Sequence, residues 1–199
     1  MKCLVTGFEA FEGVDENPTE KIARELPKTL EGVALEVEIL PVEYGIVDRV
    51  LAEPRHRDVA GVFMLGAAGE AEFGRLEVQA FNWKSSSVSD NSGNLEQGQI
   101  ISPQHPANHT LTTHVDIDAL LHSVRASVMP WKRSEDPGRF VCNDSYFRML
   151  MRSAQQSFNC PTLFVHIPVP ERASTLWNFE TVSDSVHVLL REFLKTLRS

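Results

Sequence analysis

The sequence is poor in cysteine, short of basic residues and free of long apolar runs, and each shortage excludes a class of protein. Its three cysteines, Cys3, Cys142 and Cys160, are an odd number at wide spacing. They do not make the framework of a disulfide-stapled secreted domain. No Cys or His spacing points to a metal, and no cofactor is expected. Lys and Arg total 19 against 27 Asp and Glu, a formal net charge of -8. General nucleic-acid and anionic-membrane binders need a basic face, so neither kind of partner is expected. The opening Met1-Lys2-Cys3-Leu4-Val5-Thr6-Gly7-Phe8 has too short an apolar run for a secretory signal. No later stretch approaches the ~20 apolar residues of a membrane span. A cytoplasmic protein is expected, and the sequon Asn108-His109-Thr110 is then a chance match.

What is present is the composition of a folded domain. Hydrophobic residues make up 42% and charged residues 23% of 199 positions, which argues against disorder. That length suits one domain over 1–199 and buries roughly 70% of the unfolded surface without staples.

Strand and helix signals alternate. Lys2 to Thr6 reads as a strand ending at Gly7. Asn17 and Pro18 mark a helix start, with Glu20 at capping-box spacing. Leu35, Val37 and Ile39 alternate as a strand; Ile46, Val47 and Val50 mark a helix. Val59 to Leu65 is a continuous apolar run, the signature of a central strand buried on both faces. Phe73 to Trp83 reads as one extended segment, and Lys84 to Asn94 as a surface loop. Residues 95–115 show no clear period. Ile117, Leu120, Leu121 and Val124 have helical spacing. A short strand is expected at Val128 and Met129, and a loop from Trp131 to Arg139. Phe147, Leu150, Met151 and Ala154 form a helical stripe. Thr162 to Val169 reads as a strand, and a last helix begins near Glu180. Such alternation means an α/β fold with a mostly parallel sheet covered by helices on both faces. Ligands then bind beyond the carboxyl ends of the strands.

Three residues at such places carry chemistry. Cys142 stands where a loop meets a helix, and the helix dipole and free N–H groups there favour a thiolate and can hold an oxyanion. A small packing cysteine is the alternative. His166 interrupts an apolar strand near its carboxyl end, as a base or as a core histidine. Glu77, beside Phe81, is either a solvated edge residue or the orienter of an imidazole. A nucleophilic thiol needs a base and the base an orienter, and these three supply the set. Spacing alone does not show that they meet. The other six histidines read as surface or linker residues. Phe8 and Phe11 read as walls of an apolar pocket or as loop aromatics tucked onto the core.

Taken in order, these segments resemble the pyroglutamyl peptidase I family of cysteine peptidases. Leu4-Val5-Thr6-Gly7-Phe8 with Phe11, Gly13 and Asn17-Pro18 is similar to its LxTGFxPFGG…NP. Leu65-Gly66, Gly69, Glu77, Ala80 and Asn82 are similar to LGxxGG…ERxAxN, and Asp90-Asn91 with Gly93 to PDNxG. Ser134, Gly138 and Phe140-Val141-Cys142-Asn143 resemble SxxxGxFVCN; Phe164-Val165-His166-Ile167-Pro168 resembles FIHVP. The resemblance spans nearly the whole chain. It implies a three-layer α/β/α sandwich without a metal, assembling as a homodimer or homotetramer. It implies Cys142 as nucleophile, His166 as base and acid, and Glu77 as orienter. It also implies a pocket of Phe8, Phe11, Val42, Val88, Phe140 and Val141, with oxyanion support at the start of the helix, at Asn143. The activity implied is release of an N-terminal pyroglutamyl residue from small peptides through a thioester.

Several positions depart from the family pattern. Val42 stands where Thr is usual, Ala67 where Gln is usual and Ser87 where an active-site Arg is usual. Gly69-Glu70-Ala71-Glu72 replaces Gly-Gly-Arg-Thr. Losing a positive donor near an oxyanion costs ~10²- to 10³-fold in rate, and Arg139, where Thr is usual, is the expected compensation. These departures keep two alternatives open: a cysteine acyl hydrolase or amidase acting on another small cap, and a catalytically weak binding relative.

Overall fold

The computed structural model describes residues 1–11, 13, 16–56, 58–69, 71–154, 160–170 and 177–198. Glu12 of the N-terminal loop and Glu70 lie outside the described residues. The central sheet has seven strands. Their order is β10 (Trp131–Ser134), β5 (Gly74–Glu77), β11 (Thr162–Pro168), β4 (Gly61–Ala68), β1 (Lys2–Phe8), β3 (Val33–Leu40) and β2 (Thr29–Leu30). The β11, β4, β1 and β3 neighbours pair in parallel, as does β10 with β5. β5 runs antiparallel to β11, and β2 to β3. Two small two-stranded sheets stand apart: β6 (Gln79–Phe81) with β9 (Thr110–Thr112), and β7 (Lys84–Ser85) with β8 (Gln97–Gln99).

The continuous apolar run at Val62 to Leu65 sits at the middle of this sheet, and all four residues are fully buried. Helices cover both faces. α1 (Pro18–Glu25), α3 (Ile117–Ser123) and α5 (Phe179–Thr196) bring Ile22, Leu120, Val186 and Phe193 against Val5, Phe63 and Leu65. α2 (Ile46–Ala52) and α4 (Val141–Ser153) bring Val47, Val50, Phe147 and Leu150 against Leu4, Val62, Met64 and Phe164. The result is the expected three-layer α/β/α arrangement. Each large apolar side chain buried this way contributes roughly 1.5–3 kcal/mol before entropy is counted. Among the described residues no helix is long and apolar enough to cross a membrane.

Several local expectations need correction. The strand expected at Val128 and Met129 is absent; β10 starts at Trp131, inside the segment read as a loop. Only Trp131 of its four residues is buried, so this edge strand has almost no apolar pattern to read. Phe73 to Trp83 is not one strand. It breaks at Val78, and Leu76 and Ala80, which one continuous strand would put on the same face, join opposite cores. Asn17 caps α1 by accepting the Thr19 N–H, whereas Glu20 bonds Arg24 instead of closing a capping box. His56 is fully buried, not a surface residue. His105 and His109, four residues apart in a loop, stack face to face with ring centroids 4.2 Å apart and do not converge on a point. Among the described residues no group of three or more ligating side chains could hold a metal.

Candidate active site

The site lies where the order of connections places it, at the carboxyl ends of β1, β4 and β11. His166 is the fifth residue of β11 and pairs with Gly66 on β4 and Arg75 on β5. Because β5 runs antiparallel, its last residue, Glu77, comes level with Phe164 and projects to the same face as His166. His166 Nδ1 and Glu77 Oε1 are 2.8 Å apart. Glu77 is fully buried and His166 is 5% exposed, which removes the edge-residue reading of Glu77. The second carboxylate oxygen, Oε2, is buried and meets no hydrogen-bond donor among the described residues. Gly66 makes the arrangement sterically feasible. A Cβ there would stand 2.7 Å from the Phe164 ring and 2.9 Å from the imidazole.

Cys142 is the second residue of α4. The turn before it uses Gly138 at φ +83, a conformation only glycine adopts freely. Phe140 is the cap and offers no side-chain acceptor. The first i→i−4 bond runs from the Asp144 N–H to the Phe140 carbonyl. The amides of Val141, Cys142 and Asn143 precede that bond and face the positive end of the helix dipole. The thiol is partly accessible and free, unlike buried Cys3 and Cys160. The Cys142 sulfur lies close enough to the imidazole to raise it, with Nδ1 already on Glu77. Burial by itself pulls His166 down. Hydrogen bonds to Cys142 and Glu77, and the charges behind them, outweigh burial and raise it to about 9.

Cys142 and His166 open onto a cavity of about 310 Å³. Phe8, Phe11, Val42, Phe140 and Val141 form its apolar walls. Ala67, Gly69, Asn17 and Pro137 complete it, and none of the four was expected in its wall. Pro137 belongs to a segment readable only as a loop, and Asn17 only as a helix cap. Val88 does not line the cavity. It is 41% exposed on the loop after β7, whose buried anchor is Asp90 further along. Asp90 accepts from the Tyr44, Ser92 and Asn94 backbone N–H groups, and Asn91 reaches the Val42 and Ala10 carbonyls. These bonds hold Val42 and the Phe8–Phe11 segment in place. Burial opposes the Asp90 charge, but its donors outweigh it and keep the carboxyl below its usual range.

The Arg139 side chain, expected to support the oxyanion region, is engaged elsewhere, and the Asn143 side chain is too, leaving its backbone amide for that role. The Arg139 guanidinium bonds Asp136 and the Gly138 carbonyl and lies 3.7 Å over the Phe81 ring. It is not part of the cavity wall, so it does not replace the family's usual arginine; Ser87, at that position, is exposed. The Asn143 side chain is fully buried and points back to β6. It accepts from the Phe81 N–H at 2.8 Å and donates to the Phe81 and Trp83 carbonyls at 3.0 and 2.9 Å. Asn143 therefore ties the start of α4 to the small β6–β9 sheet and leaves only its backbone amide for a ligand. Asn143→Ala strips three buried partners and should lower stability by about 2–4 kcal/mol in urea unfolding.

A family profile described as pyroglutamyl peptidase matches residues 1–192. The pyrrolidone-carboxylate peptidase of Gloeobacter violaceus is 32% identical over 177 residues, covering 87% of this chain and 84% of its own. That of Finegoldia magna is 30% identical over 174 residues, covering 86% and 81%. The crystal structure of pyrrolidone carboxyl peptidase from Fervidobacterium islandicum superposes with a TM-score of 0.88 at 28% identity, covering 98% of this chain and 99% of that one. With the profile spanning all but the last seven residues, the chain belongs to the pyroglutamyl peptidase family.

Proposed function

We propose that this chain is a cysteine exopeptidase that releases an N-terminal pyroglutamyl residue from small peptides. The observation that carries the reading is the buried 2.8 Å His166–Glu77 pair facing the Cys142 thiol in the wall of one apolar cavity. Family membership supplies the substrate class. In this reading the pyroglutamyl ring, small and uncharged, lies between Phe8, Phe11, Val42 and Phe140. The Cys142 thiolate attacks the pyroglutamyl carbonyl carbon. The oxygen gains negative charge near the amides at the start of α4, which are preorganised to receive it. As the C–N bond breaks, His166 gives its proton to the departing amine, leaving a thioester. Neutral His166 then takes a proton from water, which attacks the thioester. Pyroglutamate leaves, and the thiolate–imidazolium pair is restored. Glu77 holds the imidazole in one tautomer and stabilises its charge.

The test is hydrolysis of a pyroglutamyl fluorogenic amide set against the open-chain glutamyl amide. Turnover of the first and not of the second is expected, since an apolar wall leaves an extra charge unpaired. Small side chains at Ala67 and Gly69 favour a second reading, in which another cap is accepted. Turnover of a different N-acyl amide in preference to the pyroglutamyl one would establish it. The pH profile is a further check. The active form of the free enzyme needs imidazolium, so kcat/KM should fall as pH rises through about 9. A decline already complete near the ordinary histidine value would contradict the ion-pair form.

A further inference from the structure

We propose that Tyr146 is a positioning residue of this site, its hydroxyl fixing the strand end that carries Glu77 and its ring, through Phe164, fixing the His166 imidazole. The inference rests on the catalytic reading of Cys142, His166 and Glu77.

Tyr146 lies four residues after Cys142 on α4, one turn along the same face. It is fully buried, and its hydroxyl donates to the Glu77 carbonyl at 2.9 Å. That carbonyl stands where β5 ends. Beyond it the Val78 N–H bonds Ser134, and Gln79–Phe81 pair with β9 outside the main sheet. A strand end has no further ladder on that side to set its backbone, and the Tyr146 hydroxyl supplies a bond there. The ring makes a second link. Tyr146 packs on Phe164 with centroids 5.4 Å apart, and Phe164 packs on His166 at 4.9 Å. Phe164 is also the cross-strand partner of Glu77. One side chain on the nucleophile's helix thus reaches the orienter's backbone and, through a single ring, the imidazole. Space filling does not account for the hydroxyl. A phenylalanine would occupy the same volume without the cost of burying a polar group.

Positioning of this kind acts on rate more than on binding, because a displacement near 1 Å can cost about 10²-fold. For Tyr146→Phe, kcat on the pyroglutamyl amide should fall about 10-fold or more, with KM changed less than about 2-fold. The alkaline limb of the profile should move to lower pH. A readout that needs no substrate is the pH dependence of Cys142 alkylation by iodoacetamide, followed by mass spectrometry. A weaker imidazolium stabilises the thiolate less, so this profile should move to higher pH, opposite to the kinetic limb. Ser153→Ala is the matched control, removing a buried hydroxyl bond of 2.9 Å to Leu150 on the far turn of α4. It should lower the unfolding midpoint without moving either profile. Phe164→Leu, which cuts only the ring link, should shift the alkylation profile as Tyr146→Phe does. Wild-type profiles in Tyr146→Phe, or equal shifts in Ser153→Ala, would overturn the proposal. If wild type turns over no pyroglutamyl substrate but the alkylation shift persists, the substrate reading fails and the positioning role stands.

Discussion

Cys142→Ser should lose turnover on the pyroglutamyl amide by at least about 10⁴-fold while the protein stays folded. The size of the loss follows from the nucleophile. A serine hydroxyl is far less acidic than a thiol and needs its proton removed as it attacks, and the substitution also takes away the sulfur that contributes most to raising His166. The exchange is nearly isosteric at a partly accessible first-turn position, so the unfolding midpoint should move little. The measurement is steady-state hydrolysis with circular dichroism on the same sample. Retained turnover would mean that another group attacks. Cys3 and Cys160 do not qualify, since burial pushes both thiols up, Cys160 to about 11.

How much of this was legible beforehand depended on whether a local pattern encoded it. The Val62–Leu65 run, the Phe147–Leu150 stripe and the Asn17–Pro18 cap each carry their structure within a few residues, and each folds as read. Residues 95–115 had no period because their two strands are only three residues long, and the stretch between them is ordered by one side chain elsewhere. Asn82 accepts from Ile101 and Ser102 and donates to the carbonyls of Ser102, His105 and Pro106. Cys142, His166 and Glu77 were recognisable by residue type. Their meeting was not, because it depends on β5 running against β11, and nothing within Gly74–Glu77 encodes strand direction. Arg139 departs from its expected role for a related reason. It sits beside the nucleophile in the chain, yet its side chain turns back to Phe81, as the Asn143 side chain does. Tyr146 carried no signal beyond belonging to an apolar helix face.

Glu77→Gln should cost about 10²- to 10⁴-fold in kcat, with the alkaline limb displaced well below pH 9. The carboxylate does two things for the imidazole. Its charge favours the protonated ring, and its Oε1 accepts from Nδ1, leaving the other nitrogen for Cys142. Glutamine keeps the volume but loses the charge, and its amide can turn an N–H toward Nδ1 and impose the wrong tautomer. The same substitution predicts a change in stability with a defined sign. A histidine raised in the fold stabilises it fully below its unfolded value near 6.5, and that contribution is lost as pH rises through about 9. Wild type should therefore lose His166-linked stability across this interval, and Glu77→Gln should lose less. At pH 6 the variant should be the less stable of the two, and at pH 9.5 the gap should narrow. Thermal unfolding at the two pH values measures the gap directly. A gap that is constant with pH would mean that Glu77 only fills space, whereas a narrowing gap with depressed kcat ties the carboxylate to the charge on His166.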